Sequence, residues 1–195
     1  MTLTFWFDVH SPWCYLASTR IDALAKHHSF EVKWRPLHLP RLIEAIDGRR
    51  PLEENSAFVD WYKKDLADWA ARYGLTITYH PKYPLRNSRA LRVCLYAADR
   101  GAAHRFVPRL FKAYWADGAD ITDLDLFSRL AEEVGLDAGQ ARAAAVSETM
   151  KARVESNTAE AIQRGVFGVP TVDTGEKLYF GNDRLEMLNL HLETR

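Results

Sequence analysis

Four consecutive residues near the start of the chain, Ser11-Pro12-Trp13-Cys14, have the types and spacing of a chemical site. Two cysteines separated by two residues would form a redox-active pair, but Ser11 stands at the first position. The single thiol of Cys14 therefore cannot close a disulfide within this segment. A hydroxyl beside the free amides of a helix start can instead hold an anion, such as a thiolate that belongs to a cofactor.

Each of these residues also has a purely structural interpretation. A serine followed by a proline is a common helix start, because the hydroxyl caps free amides and proline suits the first turn. Cys14, one turn further along, is typical of a small buried apolar residue, and a reactive thiol is the alternative. Trp13 either covers the site or packs against another part of the chain.

The elements around this segment are a strand, a helix and a second strand. Apolar residues alternate from Leu3 to Val9, which predicts an inner strand. A helix is predicted from Pro12 to about Lys26. The alternation from Phe30 to Trp34 predicts another strand, which Pro36 ends. This order predicts a βαβ unit with parallel strands.

The middle of the chain is predicted to be helical, with one short extended segment at 75–79. Thr122 and Asp125 form a helix-start signal, and glycines at 101, 118 and 135 mark helix ends. The predicted helices cover 58–73, 88–100, 103–116, 123–134, 138–146 and 148–164. A hairpin of 170–173 with 177–180 and a last helix from about Asp183 complete the chain.

This order of elements, βαβ, helices and then ββα, predicts an α/β protein with a thioredoxin-like fold and a large all-helical insertion. The thioredoxin-like domain would be discontinuous, with residues 1–38 and 165–195, and the inserted domain would cover 39–164. A chain of 195 residues is long enough for this arrangement.

Composition excludes several classes of protein. The formal net charge is zero, which argues against a nucleic-acid or membrane-surface binder. No apolar run is long enough to span a bilayer, and the N-terminus lacks the features of a signal peptide, so a cytoplasmic protein is predicted. Two cysteines are too few for a disulfide framework, and no metal-ligand spacing is present.

Four blocks of the sequence resemble the 2-hydroxychromene-2-carboxylate isomerases and their relatives, the kappa-class glutathione transferases of the DsbA-like group. The blocks are FDVHSPWCYL at 7–16, WRP at 34–36, GVFGVPT at 165–171 and FGNDRL at 180–185. The resemblance implies reduced glutathione as cofactor, an aromatic acid as substrate and a homodimer. It implies a cis-trans isomerase that interconverts 2-hydroxychromene-2-carboxylate and trans-o-hydroxybenzylidenepyruvate.

The resemblance also assigns roles to residues. Ser11 would be the catalytic residue that holds the glutathione thiolate. The bond before Pro170 would be cis, as in thioredoxin-like folds, so that Val169 pairs with the extended tripeptide. Asn182 and Asp183 would bind the γ-glutamyl end, and Asp183 also fits a helix-capping signal.

At two further site positions the chain departs from the kappa-class pattern. Arg49 and Phe58 stand where kappa-class members carry an Asn and a Lys that contact the tripeptide. An arginine there can still bind a carboxylate, whereas Phe58 cannot replace an ammonium. Pro12, Trp13, Cys14 and Asn87 are predicted to line the cleft.

Two other functions fit the same sequence. Cys14 would serve a kappa-like glutathione transferase or a DsbA-like thiol oxidoreductase. A non-catalytic module that binds extended peptides is the second alternative.

Overall fold

The computed structural model describes residues 2–194, except for the side chain of Leu52. Its centre is a four-stranded sheet in the order β2-β1-β3-β4. The strands are β1 (Thr2–Phe7), β2 (Glu31–Pro36), β3 (Thr171–Asp173) and β4 (Leu178–Phe180). The helices are α1 (Pro12–His27), α2 (Leu39–Ala45), α3 (Ser56–Arg72), α4 (Ser88–Asp99), α5 (Ala103–Trp115), α6 (Leu124–Glu133), α7 (Ala138–Val146), α8 (Glu148–Gln163) and α9 (Arg184–Glu193).

The sheet is mixed because β1 has a different partner on each side. It pairs in parallel with β2, where Phe5 lies opposite Trp34, and antiparallel with β3, where Phe5 lies opposite Val172. Phe5 and Trp6 point to opposite faces, and both are fully buried. The predicted parallel βαβ unit and C-terminal hairpin are confirmed, and so is the thioredoxin-like order of elements.

Most predicted helices are confirmed to within two residues at their ends. Segment 75–79, predicted to be extended, joins no strand of the sheet, and its Thr78 N–H donates to the Trp115 carbonyl at 2.5 Å. Two predicted helix caps are wrong. Asp123, not Thr122, caps α6, since Asp120 holds the Thr122 amide at 2.8 Å. The Asp183 side chain makes no capping hydrogen bond to α9.

One hydrophobic core contains buried residues of the sheet and of helices α4 to α8. A smaller cluster of Leu16, Leu66 and Ala70 attaches α3 to α1. The first residue of α2 is Leu39 and the last of α8 is Gln163, close to the limits predicted for the inserted domain. The division into two domains at 39–164 stays a prediction.

The carboxylate of Asp8 lies in the turn between β1 and α1 and is fully buried. One oxygen accepts from the His10 N–H at 2.8 Å and from the Asn87 side-chain amide at 2.5 Å. The other accepts from the Leu39 N–H at 2.7 Å. A buried charge is tolerated because several donors replace its lost water. Asp8 thereby joins the starts of α2 and α4 to the turn before α1.

Replacement of Asp8 by Ala is expected to lower the free energy of unfolding by about 3 kcal/mol or more, because it leaves buried donors without an acceptor. Urea denaturation measures this change. Asp22→Ala is the control, since Asp22 forms only a surface pair with Lys26 at 2.8 Å and should cost about 1 kcal/mol or less. Equal losses in the two variants would contradict the proposed importance of Asp8.

Candidate active site

A cleft of about 930 Å³ opens between the start of α1, helix α3 and the loops before β3 and α9. Of the residues predicted for the site, Ser11, Pro12, Trp13, Arg49, Val169, Pro170, Asn182 and Asp183 line this cleft. Segments that are far apart in sequence therefore meet at one place.

Ser11 is the N-cap of α1 and is only 6% exposed. Its backbone is extended, with φ −92° and ψ 114°, and its hydroxyl oxygen accepts from the Cys14 N–H at 3.3 Å. Pro12 occupies the first turn. Because the hydroxyl oxygen acts as an acceptor within the helix, its proton remains available to a group in the cleft. The positive end of α1 favours a negative charge there.

Trp13 serves both of the roles considered for it. Its ring lines the cleft and meets Tyr62 of α3 edge to face, with ring centres 5.8 Å apart. Burial raises the pKa of Tyr62, so its phenol stays protonated. The pair joins the two walls of the cleft near Ser11.

The prediction that Cys14 and Asn87 line the cleft is wrong. Cys14 is fully buried, because α1 turns its side chain toward the core behind Ser11, and burial raises the pKa of its thiol well above the ordinary value. Cys94 is equally buried, and burial raises its pKa too. Asn87 is 3% exposed and is held by the carboxylate of Asp8. The described residues thus offer no ionised thiol to the cleft.

The Val169–Pro170 peptide bond is cis, as the resemblance implied. Val169 makes no hydrogen bond through its backbone to any described residue, so its N–H and C=O are unpaired beside the cleft. A second cis bond joins Tyr83 to Pro84, and nothing in the local sequence predicted it. Both prolines line the cleft.

Aromatic side chains form the outer part of the cleft. The ring centres of Phe58 and Trp61 of α3 are 5.5 Å apart, and those of Phe167 and Phe180, which line the same cleft, are 4.7 Å apart. Trp61 and Phe167 are each 54% exposed, which is unusual for rings of this size. Gly168 permits this second pair, because a Cβ atom there would lie 2.6 Å from the Phe180 ring.

Charged and polar groups lie among these rings. Arg49 is exposed and forms no ion pair with any described residue, whereas Arg50 lies 3.5 Å from Glu53. Asn182 is 2% exposed and Asp183 is largely exposed. Asp65 of α3 also lines the cleft, and sequence reasoning missed it because a lone acid on a polar helix face carries no signal. Among the described residues, no three His, Cys, Asp or Glu side chains cluster as metal ligands.

No helix within residues 2–194 is both long and apolar enough to span a membrane.

Comparison with known proteins gives consistent results. A family model described as a DSBA-like thioredoxin domain matches residues 2–193. A 2-hydroxychromene-2-carboxylate isomerase of Pseudomonas putida is 32% identical over 190 residues, 96% of this chain and 92% of that protein. A protein of the same name from Sphingobium xenophagum is 30% identical over 194 residues, 98% of this chain and 97% of its own length.

Solved structures resemble this one as well. The structure of a 2-hydroxychromene-2-carboxylate isomerase matches with a TM-score of 0.89 at 30% identity, over 100% of this chain and 95% of that chain. A cytosolic disulfide reductase from Pseudomonas aeruginosa, solved with GSH, has a TM-score of 0.69 at 18% identity and covers 99% of this chain and 100% of its own. At that identity the second match concerns the fold alone.

Because both cysteines are buried, we expect the native protein to react very slowly with a thiol reagent such as iodoacetamide, and the unfolded chain to react at both thiols. Mass spectrometry of alkylated samples with and without denaturant measures this difference. A native thiol that reacts rapidly, and whose reaction disappears in Cys14→Ala, would contradict the burial of Cys14.

Proposed function

This chain belongs to the DsbA-like thioredoxin family and, within it, to the 2-hydroxychromene-2-carboxylate isomerases, and from this premise we propose that it is a glutathione-dependent cis-trans isomerase. The substrate would be 2-hydroxychromene-2-carboxylate and the product trans-o-hydroxybenzylidenepyruvate. Reduced glutathione would supply the reacting sulfur, because both cysteines of the chain are buried. The observation that carries this proposal is that Ser11, Val169 and Asp183 face one cleft from which both protein thiols are excluded.

The reaction requires a carbon–carbon double bond to lose its double character for a short time. The glutathione thiolate adds to the conjugated chain of the ring-opened substrate, and the electron pair moves to the ketone oxygen as an enolate. The former double bond can then rotate. The enolate returns its electron pair, expels the thiolate and leaves the trans double bond, so that no atom is gained or lost.

Ser11 and the first turn of α1 would keep the thiolate ionised. The hydroxyl proton can donate to the sulfur, since its oxygen already accepts from the Cys14 N–H at 3.3 Å. The positive helix end stabilises the same charge. Pro12 occupies the first turn without adding a competing N–H.

The tripeptide would lie along the cleft as an added strand. The unpaired backbone groups of Val169, beside Pro170, would bind its cysteine portion. Asn182 and Asp183 would bind the γ-glutamyl end, and the unpaired guanidinium of Arg49 would meet a carboxylate. The disulfide reductase of similar fold was solved with GSH, which supports this part of the proposal.

The aromatic rings would bind the substrate. Phe58 places an apolar ring where kappa-class members carry a Lys, and the Phe58–Trp61 and Phe167–Phe180 pairs line the same cleft. Stacking and burial of a planar aromatic acid between such walls is favourable. A role in the breakdown of aromatic compounds and a cytoplasmic homodimer complete the proposal.

Neither alternative function has a specific observation in its favour. A kappa-like transferase or DsbA-like oxidoreductase that uses Cys14 needs an accessible thiolate, but this thiol is fully buried and its pKa is raised. A non-catalytic peptide-binding module would use the same backbone groups of Val169 without any turnover.

Replacement of Ser11 by Ala is expected to lower kcat by about 10²-fold, because the sulfur loses the hydroxyl that stabilises its charge. Glutathione affinity should change little, and the pH profile of kcat should move to higher pH as the bound thiol becomes harder to ionise. Turnover of 2-hydroxychromene-2-carboxylate with reduced glutathione is followed by ultraviolet absorbance.

Thr19→Ala is the matched control, since Thr19 lies on the same helix and its hydroxyl donates only to the Leu16 carbonyl, at 2.8 Å. The wild-type rate in Ser11→Ala would remove the proposed role of Ser11.

Calorimetric titration with reduced glutathione is expected to show one site per chain. A wild-type protein that binds extended peptides but neither binds glutathione nor turns over the substrate would be the peptide-binding module instead.

A further inference from the structure

His10 comes directly before Ser11 and is the only histidine among the described residues that line the cleft. Its backbone is fixed, because the His10 N–H donates to the buried carboxylate of Asp8 at 2.8 Å. On α5, the ring centre of Tyr114 lies 6.5 Å from that of His10. The imidazole therefore occupies a defined position in the wall of the cleft, next to Ser11.

A main-chain carbonyl determines which ring nitrogen of His10 carries the proton. Nε2 is hydrogen-bonded to the carbonyl of Leu85, which can only accept, so Nε2–H is the donor. In the neutral imidazole, Nδ1 is then the nitrogen with the free lone pair. Nδ1 makes no hydrogen bond to any described residue, and protein atoms do not enclose it. A residue of the cleft wall thus has a proton-accepting nitrogen that is open to solvent.

The other titratable groups of the cleft are less suited to accept a proton. Burial raises the pKa of the phenols that line it, so they can donate a proton but not accept one: Tyr62, Tyr79 and Tyr83. Two of its carboxylates lie beside arginines, Glu53 at 3.5 Å from Arg50 and Asp183 at 3.6 Å from Arg184. The charge of Asp183 in turn acts on Asp65.

We propose that His10 is a second catalytic residue, which opens the ring of the substrate before the thiolate adds. This inference rests on the proposed function and assigns to it a step that Ser11 does not perform. The substrate is a cyclic hemiketal, in which one carbon carries both a hydroxyl and the ring oxygen. Ring opening therefore requires a proton to leave the first oxygen and to reach the second.

Nδ1 of His10 takes the proton of the hydroxyl. The electron pair of that O–H bond forms the ketone, and the bond from the same carbon to the ring oxygen breaks, which leaves a phenolate. The imidazolium then gives the proton to the phenolate oxygen, so neutral His10 is restored and no atom is gained or lost. One nitrogen can serve both oxygens in turn because they are bonded to the same carbon, and imidazole gains and loses a proton readily near neutral pH.

The variant His10→Gln tests this role, because its side-chain amide can still donate to the Leu85 carbonyl but offers no basic nitrogen. We expect kcat for 2-hydroxychromene-2-carboxylate to fall about 10²-fold. The cis form of benzylidenepyruvate lacks the hydroxyl that closes the ring and is already open, so it should be isomerised at the wild-type rate. Ultraviolet absorbance follows both reactions, and thermal melting checks that the variant is folded.

His28→Gln is the matched control, since a ring nitrogen of His28 is also hydrogen-bonded, to Asn189 Oδ1 at 2.8 Å, at a position that does not line the cleft. It should keep the wild-type rate with both substrates. The ultraviolet absorbance of the thiolate of bound glutathione gives a second comparison that needs no substrate analogue. His10→Gln should keep the wild-type thiolate signal, because Ser11 and the positive end of α1 act on the sulfur.

The outcomes separate the two proposals. The role of His10 is overturned, while the isomerase proposal stands, if His10→Gln keeps the wild-type rate with the cyclic substrate, slows both substrates by the same factor or loses the thiolate signal. If wild type with glutathione turns over neither substrate, the proposed function itself is overturned.

Discussion

The carboxylate of Asp8 receives hydrogen bonds from the turn before α1, from the first residue of α2 and from the side chain of Asn87 at the start of α4. A buried charge cannot lose one of these partners without a large penalty, so the three segments are fixed relative to one another. The same turn is held from the other side, where the Trp115 indole N–H donates to the Val9 carbonyl at 2.9 Å. Ser11 owes its position to this arrangement, because it directly follows the turn and its N–H donates to the Asp8 carbonyl at 3.1 Å.

Two sulfur atoms could react near the start of α1, that of Cys14 and that of a cofactor, and burial affects them differently. The charge of a thiolate is favourable only where donors and helix amides replace water. Cys14 lies behind the first turn in an apolar environment, so desolvation keeps its thiol protonated. In the proposed function, a sulfur that enters through the open cleft would instead meet the hydroxyl of Ser11 and the positive end of α1. Burial of Cys14 thus favours a nucleophile from outside the chain in the proposed reaction.

The two parts of the chain contribute different features to the cleft. The sheet and its flanking loops contribute backbone groups and helix starts, around Ser11 and Val169. Helix α3 contributes side chains, with the Phe58–Trp61 surface in its first turns and Asp65 one turn after Trp61. Because α3 is attached to α1 by the small Leu16–Leu66–Ala70 cluster, its side chains can change without disturbing the main core.

Local patterns in the sequence determined the elements and much of the site. Alternating apolar residues defined β1, helical spacing defined α4 to α8, and Ser11-Pro12 specified the start of α1. The predicted cap at Thr122 failed because several acids nearby compete for the same amides, and only packing selects among them.

Tertiary structure alone decided which side chains reach the cleft. Nothing near Cys14 or Asn87 in the sequence reveals that both point away from it, since burial depends on helices that lie far along the chain. Asp65 and Asp183 are separated by more than a hundred residues, and only the packing of α3 beside the last loop brings their charges together. Sequence encodes short-range hydrogen bonds and periodicity, whereas the electrostatics of a cleft arise from distances between segments that the folded chain sets.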